Sequence, residues 1–180
     1  MLINELLPDY DVSDRYHVEI DAPSETVWEE MWTTDFCKSQ VVSWLFFLRG
    51  LESKSLTLSD LDEMKFKLIG EKRGSEVAFG LIGQFWSPNG NLQDFDPKEF
   101  KSFDEIGFAK CVWSFQLEEQ GKKTRLTTET RVRCTDNLSR SYFDIYWAFV
   151  RPFSGWTRKE ILSLIKQESE KSKNAEEMDN

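Results

Sequence analysis

From Tyr142 to Phe153 only Asp144 and Arg151 interrupt a run that is otherwise apolar or aromatic. The helical spacing continues through Ile161, Leu162, Leu164 and Ile165. A helix that is apolar nearly all round must be enclosed by protein. The run is too short to cross a bilayer, which takes ~20 consecutive apolar residues. It therefore asks for a concave partner built from the same chain. The spacing predicts a helix from about Ser139 to Glu168, after the turn Thr135-Asp136-Asn137. Pro152, which has no backbone N–H, predicts a kink or a break inside it.

The partner is legible upstream as a run of strands. Tyr16, Val18 and Ile20 alternate with His17 and Glu19, and Met64 to Leu68 alternates in the same way. Glu76 to Trp86 places Val77, Phe79, Leu81 and Phe85 on one face, and Lys110 to Leu117 does so for Cys111, Trp113, Phe115 and Leu117. Gly121-Lys122 turns the chain into Thr124 to Cys134. There Leu126, Thr128, Thr130, Val132 and Cys134 oppose Arg125, Thr127, Glu129, Arg131 and Arg133. So regular an alternation, with charges on one side, predicts an antiparallel sheet with one face in water. After the first strand, Ala22-Pro23 stops the chain. Ser24 is placed to cap a helix whose Val27, Trp28 and Met31 form a buried stripe, and a second helical piece is predicted around Val42 to Leu48.

Strand, helices, strands and a long helix read as α+β, with the helix across a curved antiparallel sheet and a cavity between them. The residues Val18-Glu19-Ile20-Asp21-Ala22-Pro23-Ser24-Glu25-Thr26-Val27-Trp28 resemble the opening of the START-like, polyketide-cyclase-like (SRPBCC, helix-grip) superfamily, in which a strand ending in Ala-Pro feeds a helix bearing Val-Trp. Arg49-Gly50-Leu51, Phe79-Gly80-Leu81-Ile82-Gly83, and Tyr146-Trp147 through Pro152-Phe153-Ser154 are similar to uncharacterised bacterial members. The resemblance implies a helix-grip fold and the binding of a lipid, polyketide or other hydrophobic small molecule. It carries no catalytic residue to transfer. The family's sheet has more strands than the five legible here, so Ser87 to Asp104 is expected to hide a short strand or form a lid. Residues 1–14 read as an N-terminal extension, 15–171 as the ligand-binding domain, and 172–180 as a flexible polar tail.

Composition narrows the partners. A formal charge of −9 and a pI near 4.8 oppose a phosphate backbone and an anionic membrane surface. No nucleic acid and no membrane span are expected. Cys37, Cys111 and Cys134 have no Cys-x-x-Cys spacing, and the first residues lack a signal-peptide pattern. The expectation is a cytoplasmic protein with reduced thiols, without metal or other cofactor, and a monomer or weak homodimer.

The chain holds 14 Phe, 7 Trp and 4 Tyr. Phe79, Leu81, Phe85, Trp113, Phe115, Phe143, Tyr146, Trp147 and Val150, with the hydroxyls of Thr128 and Thr130, form the expected cavity wall, apolar with a few polar groups. His17 with Glu19 could make an acid/base pair, but the alternation puts both on the outer side. The row Glu129, Arg131, Arg133 reads as a solvated face with cross-strand pairs rather than a head-group site. Gly80 and Gly83 read as bends that let the sheet curve. Ligand entry is expected through Trp44 to Leu48 with Arg49-Gly50, and through Ser87 to Asp104, with Phe95, Phe100 and Phe103 as a mobile rim. Non-catalytic binding leads. A cyclase- or dehydratase-like enzyme using Tyr142, Tyr146 or His17 is one alternative, and a co-chaperone-like interaction module is another.

Overall fold

The computed structural model describes residues 1–39 and 55–178. Helix α1 (Leu2–Leu6) precedes strand β1 (Val12–Ile20), helix α2 (Ser24–Thr33) and two 3-10 turns, Phe36–Lys38 and Leu58–Met64. Strands β2 (Lys67–Lys72), β3 (Glu76–Gly83), β4 (Ala109–Gln120) and β5 (Lys123–Cys134) follow, and helix α3 (Asn137–Met178) comes last. Five strands pair antiparallel in the order β1-β5-β4-β3-β2. This curved sheet with its long C-terminal helix is the helix-grip arrangement. Among the described residues no helix is long and apolar enough to cross a membrane.

The concave face follows the predicted alternation. Val77 lies opposite Phe115, Phe79 opposite Trp113, and Trp113 in turn opposite Thr130. Helix α2 buries Val27, Trp28 and Met31 against this face, while α3 packs on β1, β5 and α2 through Phe143, Ile161, Leu162 and Ile165. The grip thus closes over the β1 and β5 side of the sheet. The C-terminal part of α3 is tied back by the Ser172 hydroxyl on Glu30 at 2.6 Å and by Lys173 beside Asp21 at 3.2 Å.

Several local readings change. Ser24 is the first residue of α2 and Pro23 its N-cap; the Ser24 hydroxyl instead donates to Glu119 at 2.5 Å. Met64 closes a 3-10 turn, so β2 starts later, at Lys67. Strand β3 stops at Gly83, leaving Phe85 in the connection. Helix α3 runs to Met178, past Glu168, and Pro152 lies inside it without interrupting it. The helix expected around Val42 to Leu48 lies outside the described residues.

Two corrections are larger. The convex face is only partly in water, because α1 and the connection 84–108 fold over its β3 and β4 side, while Arg15, His17 and Glu19 of β1 stay exposed. Ile3, Leu6, Leu7, Phe100 and Phe108 pack there on Ala78, Ile82 and Val112. The connection holds no strand, and Phe95, Phe100 and Phe103 belong to this outer core rather than to a cavity rim. Gly80 and Gly83 serve close approach: a Cβ on Gly83 would meet the Gly90 carbonyl at 2.7 Å. Lys110 fastens the connection by donating to the carbonyls of Phe100 and Lys101. Glu129 and Arg131 are both buried. They pair at 2.6 Å, Arg131 donates to the Leu7 carbonyl, and its guanidinium lies 4.5 Å from the centre of the Tyr10 ring.

The second correction concerns α3. Leu138, Tyr142, Ile145, Phe149, Phe153 and Trp156 are exposed, so the helix is not enclosed all round. The sheet takes up only one face of it.

Candidate functional site

Of the eleven residues expected to line a cavity, seven fall into two packed groups. Near α2, Phe79, Trp113 and Phe115 join the core of Val27, Met31 and Ile161. Trp32 meets Phe79 edge-on at 5.9 Å, and Trp113 and Phe115 lie 5.0 Å apart. At the other end Phe143 contacts Phe85, Tyr146 and Trp147 over Val132 and Cys134, stacking on Trp147 at 5.8 Å. Leu81, Thr128 and Thr130 of the sheet and Val150 of α3 belong to neither group.

Hydrogen bonds hold several of these residues. The indole N–H of Trp113 donates to Thr128 Oγ1 at 2.8 Å, and that hydroxyl donates to the Ser114 carbonyl at 3.0 Å, which fixes the ring. Arg158 reaches down from α3, its Nε donating to Thr130 Oγ1 at 2.9 Å and its Nη1 to the carbonyl and hydroxyl of Ser154. Asp14, opposite Thr130 on β1, is buried; its Oδ1 accepts from Arg151 at 3.4 Å, and its Oδ2 has no hydrogen-bond partner among the described residues.

Cys111 lies beside Leu81 and Val132 in the strand pairing. It stands on β4, the central strand, on the concave face, yet it is only half-buried, as is Trp113 beside it. Burial nevertheless pushes its thiol up to about 12, with the Arg158 charge acting in the opposite direction. Cys37, Cys111 and Cys134 are all unbridged.

Of the acid/base candidates only Tyr146 faces this region. His17 is exposed on the outer side of β1, opposite Thr127, because Tyr16 and Val18 take the inner side. Tyr142 is exposed on the far face of α3. The entry segment Trp44 to Leu48 with Arg49-Gly50 lies outside the described residues. Strand alternation and ring content point to neither Arg158 nor Asp14. A signal existed for Arg158: it falls at helical spacing between Trp147, Ser154, Ile161 and Ile165, on the stripe that faces the sheet.

A groove of about 430 Å³ opens between β1 and α3 and is lined by Tyr16, Arg151, Pro152, Gly155, Trp156 and Lys159. Gly155 makes room for the Tyr16 hydroxyl, which a Cβ there would meet at 2.5 Å.

No protein-family model matches the chain, and no curated protein matches it. Solved structures similar to it include TTHA0849 from Thermus thermophilus, at 11% identity and a TM-score of 0.36, covering 88% of this chain and 97% of that one. CalU16 from Micromonospora echinospora is similar at 12% identity and 0.32, covering 91% and 86%. The Zhui aromatase/cyclase from Streptomyces sp. R1128 is similar at 13% and 0.32, covering 88% and 93%. The helix-grip assignment rests on the sheet order and α3 themselves.

Proposed function

We propose that this helix-grip chain binds a hydrophobic small molecule, a lipid, polyketide or other apolar metabolite, in the recess between the concave sheet face and α3, without converting it. The observation that carries the reading is the partial exposure of Cys111 and Trp113 on the central strand. In a filled core those positions are sealed. The proposed wall comprises Phe79, Leu81, Phe85, Trp113, Phe115, Thr128, Thr130, Phe143, Tyr146, Trp147 and Val150. Such a wall offers aromatic faces to an apolar body and a few fixed polar groups to orient it. Arg158, already engaged by Thr130, adds a cation suited to a carbonyl or carboxylate oxygen.

The test has two parts. Native mass spectrometry of the protein purified from its host is expected to retain an apolar adduct, and an environment-sensitive dye is expected to bind saturably. Cys111→Phe, which fills the recess from a half-buried position, is expected to abolish dye binding while circular dichroism stays unchanged. Undiminished dye binding by that variant would sink the reading.

A cyclase- or dehydratase-like reading draws on Tyr146 and Arg158, an inward-facing hydroxyl and cation on one helix that could protonate and polarise a carbonyl. It requires turnover that falls in Tyr146→Phe while ligand retention persists. Retention and turnover together therefore separate the two.

A further inference from the structure

We propose that the groove between β1 and α3 binds a small organic anion, a carboxylate or phosphate monoester carried on a planar aromatic body, at a site separate from the proposed recess. The groove measures about 430 Å³, within the ~300–1,000 Å³ of small-molecule pockets. Arg151, Gly155 and Lys159 recur every four residues along α3, with Pro152 and Trp156 on the neighbouring row. The helix therefore presents all five on one side.

The charge of the lining selects an anion. Its polar side chains are two cations and a phenol, with no carboxylate among them. Among the described residues neither the Lys159 ammonium nor the Tyr16 hydroxyl has a hydrogen-bond or ion-pair partner. The two stand together, since the Lys159 Nζ lies 5.4 Å from the centre of the Tyr16 ring. Arg151 is exposed and gives one nitrogen to Asp14 at 3.4 Å, which leaves most of its five N–H donors for another oxygen. Asp14, itself buried, is the one carboxylate bonded to the lining among the described residues. From Arg151 to Lys159 the sequence holds no Asp or Glu, so this stretch of α3 is basic within a chain of charge −9. An oxyanion completes a set of charged and neutral donors that the protein leaves unfilled.

The shape of the groove works against helix propensity. Pro and Gly are the residue types least favourable inside a helix, yet Pro152 and Gly155 fall within one turn of each other, both in the lining. Gly155 has a local reason: a Cβ there would meet the Tyr16 hydroxyl at 2.5 Å. The hydroxyl thus occupies the place where a side chain would stand, and reaches the groove. Breaches of local preference of this kind gather at functional sites. The apolar side is Trp156, about half exposed, with the Pro152 ring beside it in the lining. An indole face takes a planar ring by stacking, which favours an aromatic acid over an inorganic ion.

Naphthoate, naphthyl phosphate, the neutral naphthyl methanol and inorganic phosphate are titrated separately into the full chain by calorimetry at neutral pH and low salt. At least one of the two aromatic anions is expected to bind saturably, about tenfold or more tighter than the neutral alcohol or inorganic phosphate. The better of the two identifies the acid group. Lys159→Ala is expected to weaken binding about tenfold, the loss of one charge-assisted contact, and Lys159→Arg to retain most of it. Because Lys159 is exposed, circular dichroism and the thermal midpoint should not change in either variant. Tyr16→Phe is expected to weaken binding about threefold or more. Cys111→Phe, directed at the recess, is expected to leave anion binding unchanged, so this site and the recess stand or fall separately. No binding of either aromatic anion, equal binding of the alcohol or of inorganic phosphate, binding indifferent to Lys159→Ala, or binding lost in Cys111→Phe overturns the proposal.

Discussion

Phe100 lies directly against Gly80. A Cβ on Gly80 would come within 2.9 Å of two carbons of the Phe100 ring and 3.0 Å of Ile69. The ring is fully buried, so the 84–108 connection is seated on β3 as tightly as a core side chain. Gly80→Ala is expected to cost ~1–3 kcal/mol by overpacking, read from a urea midpoint. Phe100→Leu in the same chain should recover part of the loss. A neutral Gly80→Ala would mean that the connection can shift freely.

The clamp on the N-terminal segment gives a second prediction. Glu129 accepts from Arg131 and from the Ser13 hydroxyl, and Arg131 in turn holds the Leu7 carbonyl. Removing one partner of a buried pair leaves the other uncompensated, so Glu129→Ala should cost ~3–5 kcal/mol. Hydrogen exchange in Leu2–Leu6 should rise before any change reaches α3. Equal loosening of both would show that the clamp is not local.

Asp136 caps α3. Its Oδ1 accepts the backbone N–H groups of Leu138 and Ser139, while Oδ2 accepts the Ser139 hydroxyl and the Gly107 N–H. The Ser139 hydroxyl, then the Ser139 and Gly107 amides, hold its carboxyl down at about 2. An unfolded Asp titrates near ~3.9. The carboxylate thus stabilises the fold fully above that value, and the contribution is lost as pH falls through about 2. Asp136→Asn should flatten the decline of the thermal midpoint across this acid window and leave its shape unchanged above about pH 5.

Asp14 is a buried carboxylate whose ion pair with the exposed Arg151 is long, at 3.4 Å. Replacing it with the neutral amide should stabilise the protein by ~1 kcal/mol, because the desolvated charge is poorly compensated. A loss in Asp14→Asn would show that Oδ2 is held by a further donor.

Strand alternation made the concave face legible, down to Trp113 and Thr130 as inward residues. It misled on the convex face for an identifiable reason. Arg125, Glu129, Arg131 and Arg133 look like a wetted row, but two of them satisfy each other under a cover of Leu7 and Tyr10. Ala78, Ile82 and Val112, apolar on the side that alternation assigns to solvent, carried the contrary signal. The run from Tyr142 to Phe153 does form a long helix. Hydrophobicity alone, however, does not distinguish a face that meets the sheet from one that meets water. Arg158 is hard to read because a cation on the inward stripe interrupts the apolar pattern by which that stripe is recognised.

Pro152 leaves the ladder of α3 one rung short, since the carbonyl of Ala148 has no N–H four residues on. The helix therefore comprises two cooperative stretches of unequal tenacity. The later one is anchored by Ile161, Ile165 and the Ser172 and Lys173 contacts, while the earlier one holds to the sheet chiefly through Phe143. Amide exchange in residues 142–151 should accordingly proceed by opening events that never reach Ile165, so that access to the proposed recess would be regained many times within the lifetime of a single folded molecule.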